Sequence, residues 1–139
     1  MAVIKNKMKT GFFAILIAFA LTSCSTMAVR EKFEDSISQY SKLLSAQRFD
    51  LAGIFVSESI AEAFNARVKA AKNIKVVDCR VVKAKYEEGN GKADVEVEID
   101  YYTLSAYKLT TLTDLQKWAY VTEKGAAGWK LMSLLPEFP

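Results

Sequence analysis

The sequence predicts an α+β domain in which N-terminal helices pack on a four-stranded antiparallel sheet, preceded by a cleaved leader. Three observations lead there. Apolar residues recur at helical spacing from residue 27 to about 72, the pattern switches to β-branched and aromatic alternation at Lys72-Asn73, and an Asn-Gly pair sits between two alternating segments.

The first helix is expected over about 27–46. Val29, Phe33, Ile37, Tyr40 and Leu44 form one stripe, with Arg30, Glu31, Glu34, Asp35 and Lys42 mostly off it, and Ser25-Thr26 can act as its N-cap. A short helix is expected in 49–56, ending near Ser57. A third, over about 58–72, carries Ile60, Phe64, Val68 and Ala71 on one face.

From Ile74 onward strands take over. A two-residue turn at Asn90-Gly91 is the strongest short hairpin signal. It sets Tyr86 opposite Val95, Ala84 opposite Val97, Val82 opposite Ile99 and Arg80 opposite Tyr101. On the other face it sets Lys85 opposite Glu96 and Lys83 opposite Glu98. Apolar meets apolar and cation meets anion, as cross-strand pairing favours. A third strand is expected over about 108–123, a turn at Lys124–Gly128 and a fourth strand over about 129–135, before Pro136 and Pro139.

The leader is read from residues 1–23. Lys5, Lys7 and Lys9 precede an apolar run from Gly11 to Leu21. A basic start, a short apolar core and small residues at the end describe a secretory signal. The run is about half the ~20 residues that a membrane-crossing helix needs. Leu21-Thr22-Ser23-Cys24 resembles the lipobox of bacterial lipoproteins. The resemblance implies a diacylglycerol thioether on Cys24, cleavage before it and N-acylation, hence a membrane partner reached through the lipid anchor. Two or three acyl chains anchor stably where one is marginal. Ser25, in place of an inner-membrane-retaining Asp, is compatible with the periplasmic side of the outer membrane. The expected domains are therefore 1–23, the signal peptide, and 24–139, a single α+β domain.

Processing changes the charge argument. Of 19 basic residues three lie in the leader, which leaves 16 against 16 acidic ones. With no net charge and no Lys/Arg cluster, nucleic acid is not an expected partner. Histidine is absent, which removes Ser-His and Cys-His chemistry. Nothing calls for a metal or another cofactor. Cys79 is the second of two cysteines and reads as a small apolar strand residue.

The helices followed by Ile74–Tyr86, the acidic-alternating Ala93–Tyr101, Gln116-Lys-Trp-Ala-Tyr120 and Gly128–Phe138 resemble the nuclear transport factor 2-like superfamily. That resemblance implies a curved sheet whose concave face and helices enclose a pocket. A short strand between the second and third helices, common in the superfamily, is not evident.

In the expected register Asp78 and Arg80 share the pocket face with Val95, Val97 and Ile99, beside Tyr101. Asp78, Arg80 and Tyr101 are thus the ligand-pocket candidates, either as an ion pair at the mouth of the core or as polar determinants for a small apolar ligand. Asp94, Glu96, Glu98 and Asp100 form an acidic row on the other face and read as a solvated surface. Val77, Cys79, Val81 and Tyr102 lie further along that face as an apolar patch, either an interaction surface for a second copy or an envelope protein or a surface covered by a loop or neighbouring strand. Trp118, Tyr120, Trp129 and Phe138 read as packing residues. The expected function is a lipid-anchored, non-catalytic ligand-binding or protein-interaction module. The alternative is a cavity enzyme of ketosteroid-isomerase or dehydratase type using Asp78, as the superfamily resemblance allows.

Overall fold

The computed structural model describes residues 27–139. The leader, Cys24 and the expected cap Ser25-Thr26 lie outside the described residues. The sheet belongs to a compact unit spanning Lys32–Pro139.

Helix α1 covers 27–45. Phe33, Ile37, Tyr40 and Leu44 are buried, as their spacing requires. The helix ends in a Schellman arrangement: the Arg48 amide donates to the Leu43 carbonyl (2.8 Å) and the Gln47 amide to that of Leu44 (3.0 Å). Gln47 takes the left-handed position, with φ 61°.

Helix α2, Phe49–Ala52, continues into a 3-10 turn, Gly53–Phe55. A second 3-10 turn, Glu58–Ile60, leads into α3, Ala61–Ala70. Between α2 and α3, Val56 forms a parallel bridge to Leu131, and the Ser57 amide donates to the Leu131 carbonyl at 3.0 Å. A minimal strand contact therefore exists where no strand is evident from local pattern.

The sheet is an antiparallel meander in the order β1-β2-β3-β4. Its strands are β1 Ile74–Glu87, β2 Lys92–Thr103, β3 Thr110–Glu123 and β4 Ala126–Leu131. One face of β2 is buried throughout: Ala93, Val95, Val97, Ile99 and Tyr101 are at most 3% exposed. Aromatic contacts cross from α1 to this face. Phe33 lies 4.9 Å from Trp129 and Tyr40 lies 5.6 Å from Trp118, ring centre to ring centre. No helix among the described residues is long and apolar enough to cross a membrane.

The hairpin forms, but in a different register from the expected one. The loop has four residues, 88–91, so Tyr86 pairs with Ala93 and Ala84 with Val95. That two-residue offset keeps the faces. Two irregularities then intervene, between Val81 and Lys83 and between Val76 and Asp78. Each inserts one residue into β1, and each such insertion exchanges the faces of the residues beyond it. Beyond the first, Val81 opposes Val97, Arg80 opposes Glu98, Cys79 opposes Ile99 and Asp78 opposes Asp100. Beyond the second, Val76 opposes Tyr101. The expected pairing of Arg80 with Tyr101 is corrected accordingly.

Candidate functional site

The irregularities in β1 decide where its chemistry points. Asp78 and Arg80 stand with the acidic row of β2, on the face away from the core. There the Arg80 guanidinium donates to Asp100 (2.6 Å), Glu98 (2.8 Å) and Asp78 (3.2 Å). Thr111 also donates to Asp100, at 2.6 Å. Arg80 and the Thr111 hydroxyl hold the Asp100 carboxyl below its ordinary range, and the three carboxylates raise the Arg80 pKa. The Asp78 side chain is 54% exposed.

Tyr101 lies on the opposite, buried face. Its hydroxyl donates to the Pro139 carbonyl at 3.0 Å, and its ring meets Phe138 at 5.0 Å. The structure therefore separates Tyr101 from Asp78 and Arg80. It also divides the expected surface of Val77, Cys79, Val81 and Tyr102. Cys79 and Val81 turn toward the core face, Tyr102 stays on the outer face stacked on Tyr107, and Val77 sits exposed at the irregularity.

Turning Cys79 and Val81 inward opens a different site. A cleft of about 710 Å³ runs between α1 and β1. Its helix side includes Ile37, Ser38, Ser41 and Ser45; its strand side is Asp78, Cys79 and Val81. β1 is an edge strand, and α1 leaves its middle uncovered: Val81 is 39% exposed, whereas its neighbour Val97 is 0%.

Beneath α1 part of the core is polar. On β3, Asp114, Gln116 and Trp118 alternate onto the buried face and are 7%, 2% and 1% exposed. The Trp118 indole donates to Gln116 Oε1 at 3.0 Å, and Gln116 Nε2 donates to Asp114 Oδ2 at 2.9 Å. An indole N–H is donor only, so it fixes which end of the Gln116 amide faces Asp114. From α1, the Tyr40 hydroxyl is buried without a hydrogen-bond partner among the described residues, and Ser41 Oγ is buried against the Cys79 thiol. Natural cores rarely leave a group such as the Tyr40 hydroxyl alone.

The electrostatics tie these groups together. Burial raises the Tyr40 pKa well above its ordinary value, and neighbouring Asp114 and Cys79 raise it further. Burial raises the Asp114 pKa, partly offset by the Gln116 amide. Burial pushes the Cys79 thiol up to about 11; the adjacent Ser41 hydroxyl offsets part of this and the Asp114 charge adds to it. Tyr40, Ser41, Cys79 and Asp114 thus form one neighbourhood drawn from α1, β1 and β3. Among the described residues no group of three or more His, Cys, Asp or Glu side chains converges as a metal site.

Sequence reading missed Asp114, Gln116 and Tyr40 as polar groups. The signal was present in β3: alternation by two from Trp118 puts Gln116 and Asp114 on the tryptophan's face.

No protein-family model matches the chain, and no curated protein matches it. Among solved structures it is similar to two SEC-C motif containing proteins. The one from Psychrobacter arcticus is 13% identical, with a TM-score of 0.58 over 78% of this chain and 62% of that one. The one from Rhodopseudomonas palustris is 11% identical, with a TM-score of 0.50 over 66% of this chain and 68% of that one. The likeness is one of fold, and the chain spans less than two thirds of the Psychrobacter protein.

Proposed function

We propose that this chain is a lipid-anchored envelope lipoprotein, held on the periplasmic side of the outer membrane through Cys24. Its folded unit would belong to the nuclear transport factor 2-like superfamily and act as a non-catalytic ligand-binding module. The basic leader and Leu21-Thr22-Ser23-Cys24 support the anchor. Helices packed on a four-stranded meander support the superfamily reading.

The observation that carries ligand binding is the cleft between α1 and β1, in which the Ser38, Ser41 and Ser45 hydroxyls stand beside apolar Ile37, Cys79 and Val81. Pockets that recognise small molecules pair an apolar lining with a few placed polar groups. The enzyme alternative built on Asp78 has less support. That carboxylate is exposed and ion-paired to Arg80, without the water-excluded setting in which a carboxylate becomes a strong base.

Two experiments test the proposal. Membrane fractionation of Cys24→Ala should show an unacylated, unprocessed chain; a variant that remains acylated overturns the anchor. Native mass spectrometry of the membrane-extracted full chain should show a bound small molecule. That molecule should be lost when Ser38→Trp fills the cleft; retention in that variant overturns the cleft as the binding site.

A further inference from the structure

We propose that the free edge of β1 beside the α1–β1 cleft takes up a short extended peptide, which adds to the sheet as a fifth strand alongside Cys79 and Val81. This rests on the ligand-binding reading above and names the chemical class of the ligand.

The direction of the backbone carries it. In an antiparallel sheet, alternate residues of a strand turn their N–H and C=O groups to opposite sides. The Leu104 amide donates to the Asn73 carbonyl (2.9 Å), and the Tyr120 amide donates to the Gly91 carbonyl (2.7 Å). Even-numbered residues of β2 therefore bond toward β1, and odd-numbered ones toward β3. Glu98 and Asp100 oppose Arg80 and Asp78. Arg80 and Asp78 thus bond to β2, while the backbone groups of Cys79 and Val81 face the free edge. Those groups have no hydrogen-bond partner among the described residues. A strand edge in this state is a template for another strand.

Gln47 shows what satisfies this edge. At Ile74 and Val76, the outward-facing residues nearer the start of β1, its side-chain amide supplies one donor and one acceptor. Nε2 donates to the Ile74 carbonyl (2.6 Å), and Oε1 accepts from the Val76 amide (2.8 Å). The backbone of a peptide offers the same pair of groups. The irregularities at Val77 and Val82 interrupt the edge on either side of 78–81. A stretch that short suits a short segment. A second β1, 14 residues long and interrupted at the same places, could not pair continuously along it. Val81 is open to approach, and cleft-face side chains of the added strand would meet Ile37, Val81 and the Ser38 and Ser45 hydroxyls. That lining suits small apolar residues.

The probe is the capped pentapeptide acetyl-Val-Ser-Val-Ser-Val-amide, titrated into the membrane-extracted full chain with the Cys79 and Val81 amide resonances as reporters. Saturable shifts are expected, and hydrogen exchange at both amides should slow about tenfold or more at saturation. Two further peptides carry N-methyl groups, one on its valines and one on its serines. Alternate amides of a strand face opposite edges, so one form should bind about tenfold or more weakly than the other. Val81→Pro should also lose the peptide, because it removes an outward N–H at an edge position that tolerates proline. Equal binding by the two methylated forms overturns strand addition and leaves the cleft as a binding site. Failure of the pentapeptide to bind, with a cleft-bound molecule still present in the native mass spectrum, overturns the peptide class alone. Failure of both overturns the cleft reading as well. A dimer that protects these amides without peptide gives the edge to a second copy and overturns the proposal. The comparison of peptides on the unaltered chain stands even if Val81→Pro does not fold.

Discussion

Gln47 shows how much one side chain can settle. It ends α1 in a left-handed conformation that glycine would adopt without strain. Its amide explains the choice of residue: Nε2 donates to the Ile74 carbonyl (2.6 Å), and Oε1 accepts from the Val76 amide (2.8 Å). The side chain thereby imitates a neighbouring strand at the start of the free β1 edge. Gln47→Ala should cost about 1–3 kcal/mol in denaturant unfolding, because two backbone groups lose their partner. Gln47→Gly should not recover that loss despite relieving the backbone.

Asp114 gives a pH dependence of defined sign. Its pKa is raised in the folded protein, so the folded state binds more protons above the carboxyl's ordinary range. Stability then falls as pH rises from about 3.8 through the folded pKa. Asp114→Asn should flatten that fall, and thermal melts between pH 4 and 7 measure it. Cys79 offers a second check. With its thiol pushed from 9.0 to about 11, native alkylation by iodoacetamide at pH 7 should be tens of times slower than in urea.

At the scale of elements, the β1-β2 hairpin was legible in kind and not in register. Alternation and Asn90-Gly91 marked two antiparallel strands and their turn. The four-residue loop was not marked, because Gly89 and Gly91 both take positive φ and close it around Asn90. Their substitution separates conformation from contact. A Cβ at Gly89 meets open space, whereas one at Gly91 comes within 3.3 Å of Tyr120 Cβ. Gly89→Ala should cost about 1 kcal/mol in chemical denaturation, and Gly91→Ala clearly more. The irregularities at Val77 and Val82 lay beyond reading, since each extra residue is chosen by how β1 twists against β2 and α1. The one at Val82 reversed the expected face at Val81, Arg80, Cys79 and Asp78, and the one at Val77 restored it at Val76. The expected grouping of Asp78 and Arg80 with Tyr101 on one face failed with that reversal, although Asp78 still lines the cleft beside α1.

At the scale of the molecule, the packing of helices on the sheet also depends on a contact between distant segments. Ser57 donates to Glu123 Oε1 at 2.5 Å, and the Glu58 amide donates to Oε2 at 3.2 Å. The end of β3 therefore meets the start of the 3-10 turn that leads into α3. The Ser57 hydroxyl, followed by the Glu58 amide, lowers the Glu123 pKa. That contribution is present above its ordinary value of 4.5 and is lost as pH falls through the folded pKa. Ser57→Ala should cost about 1 kcal/mol near neutral pH, and the difference from the unaltered chain should narrow in melts run toward pH 3.

Local periodicity and turn chemistry were enough to set the kinds of element, their order and the buried stripe of α1. The sequence also carried the leader and lipobox pattern on which the proposed anchor rests. Which face of β1 each side chain occupies was settled by packing against β2 and α1. An inserted residue leaves the composition of a strand unchanged while exchanging its faces. Only the tertiary structure, likewise, brought Tyr40, Ser41, Cys79 and Asp114 together, since they come from three elements with no spacing in common. The cleft is thus a product of packing: α1 leaves the middle of β1 uncovered.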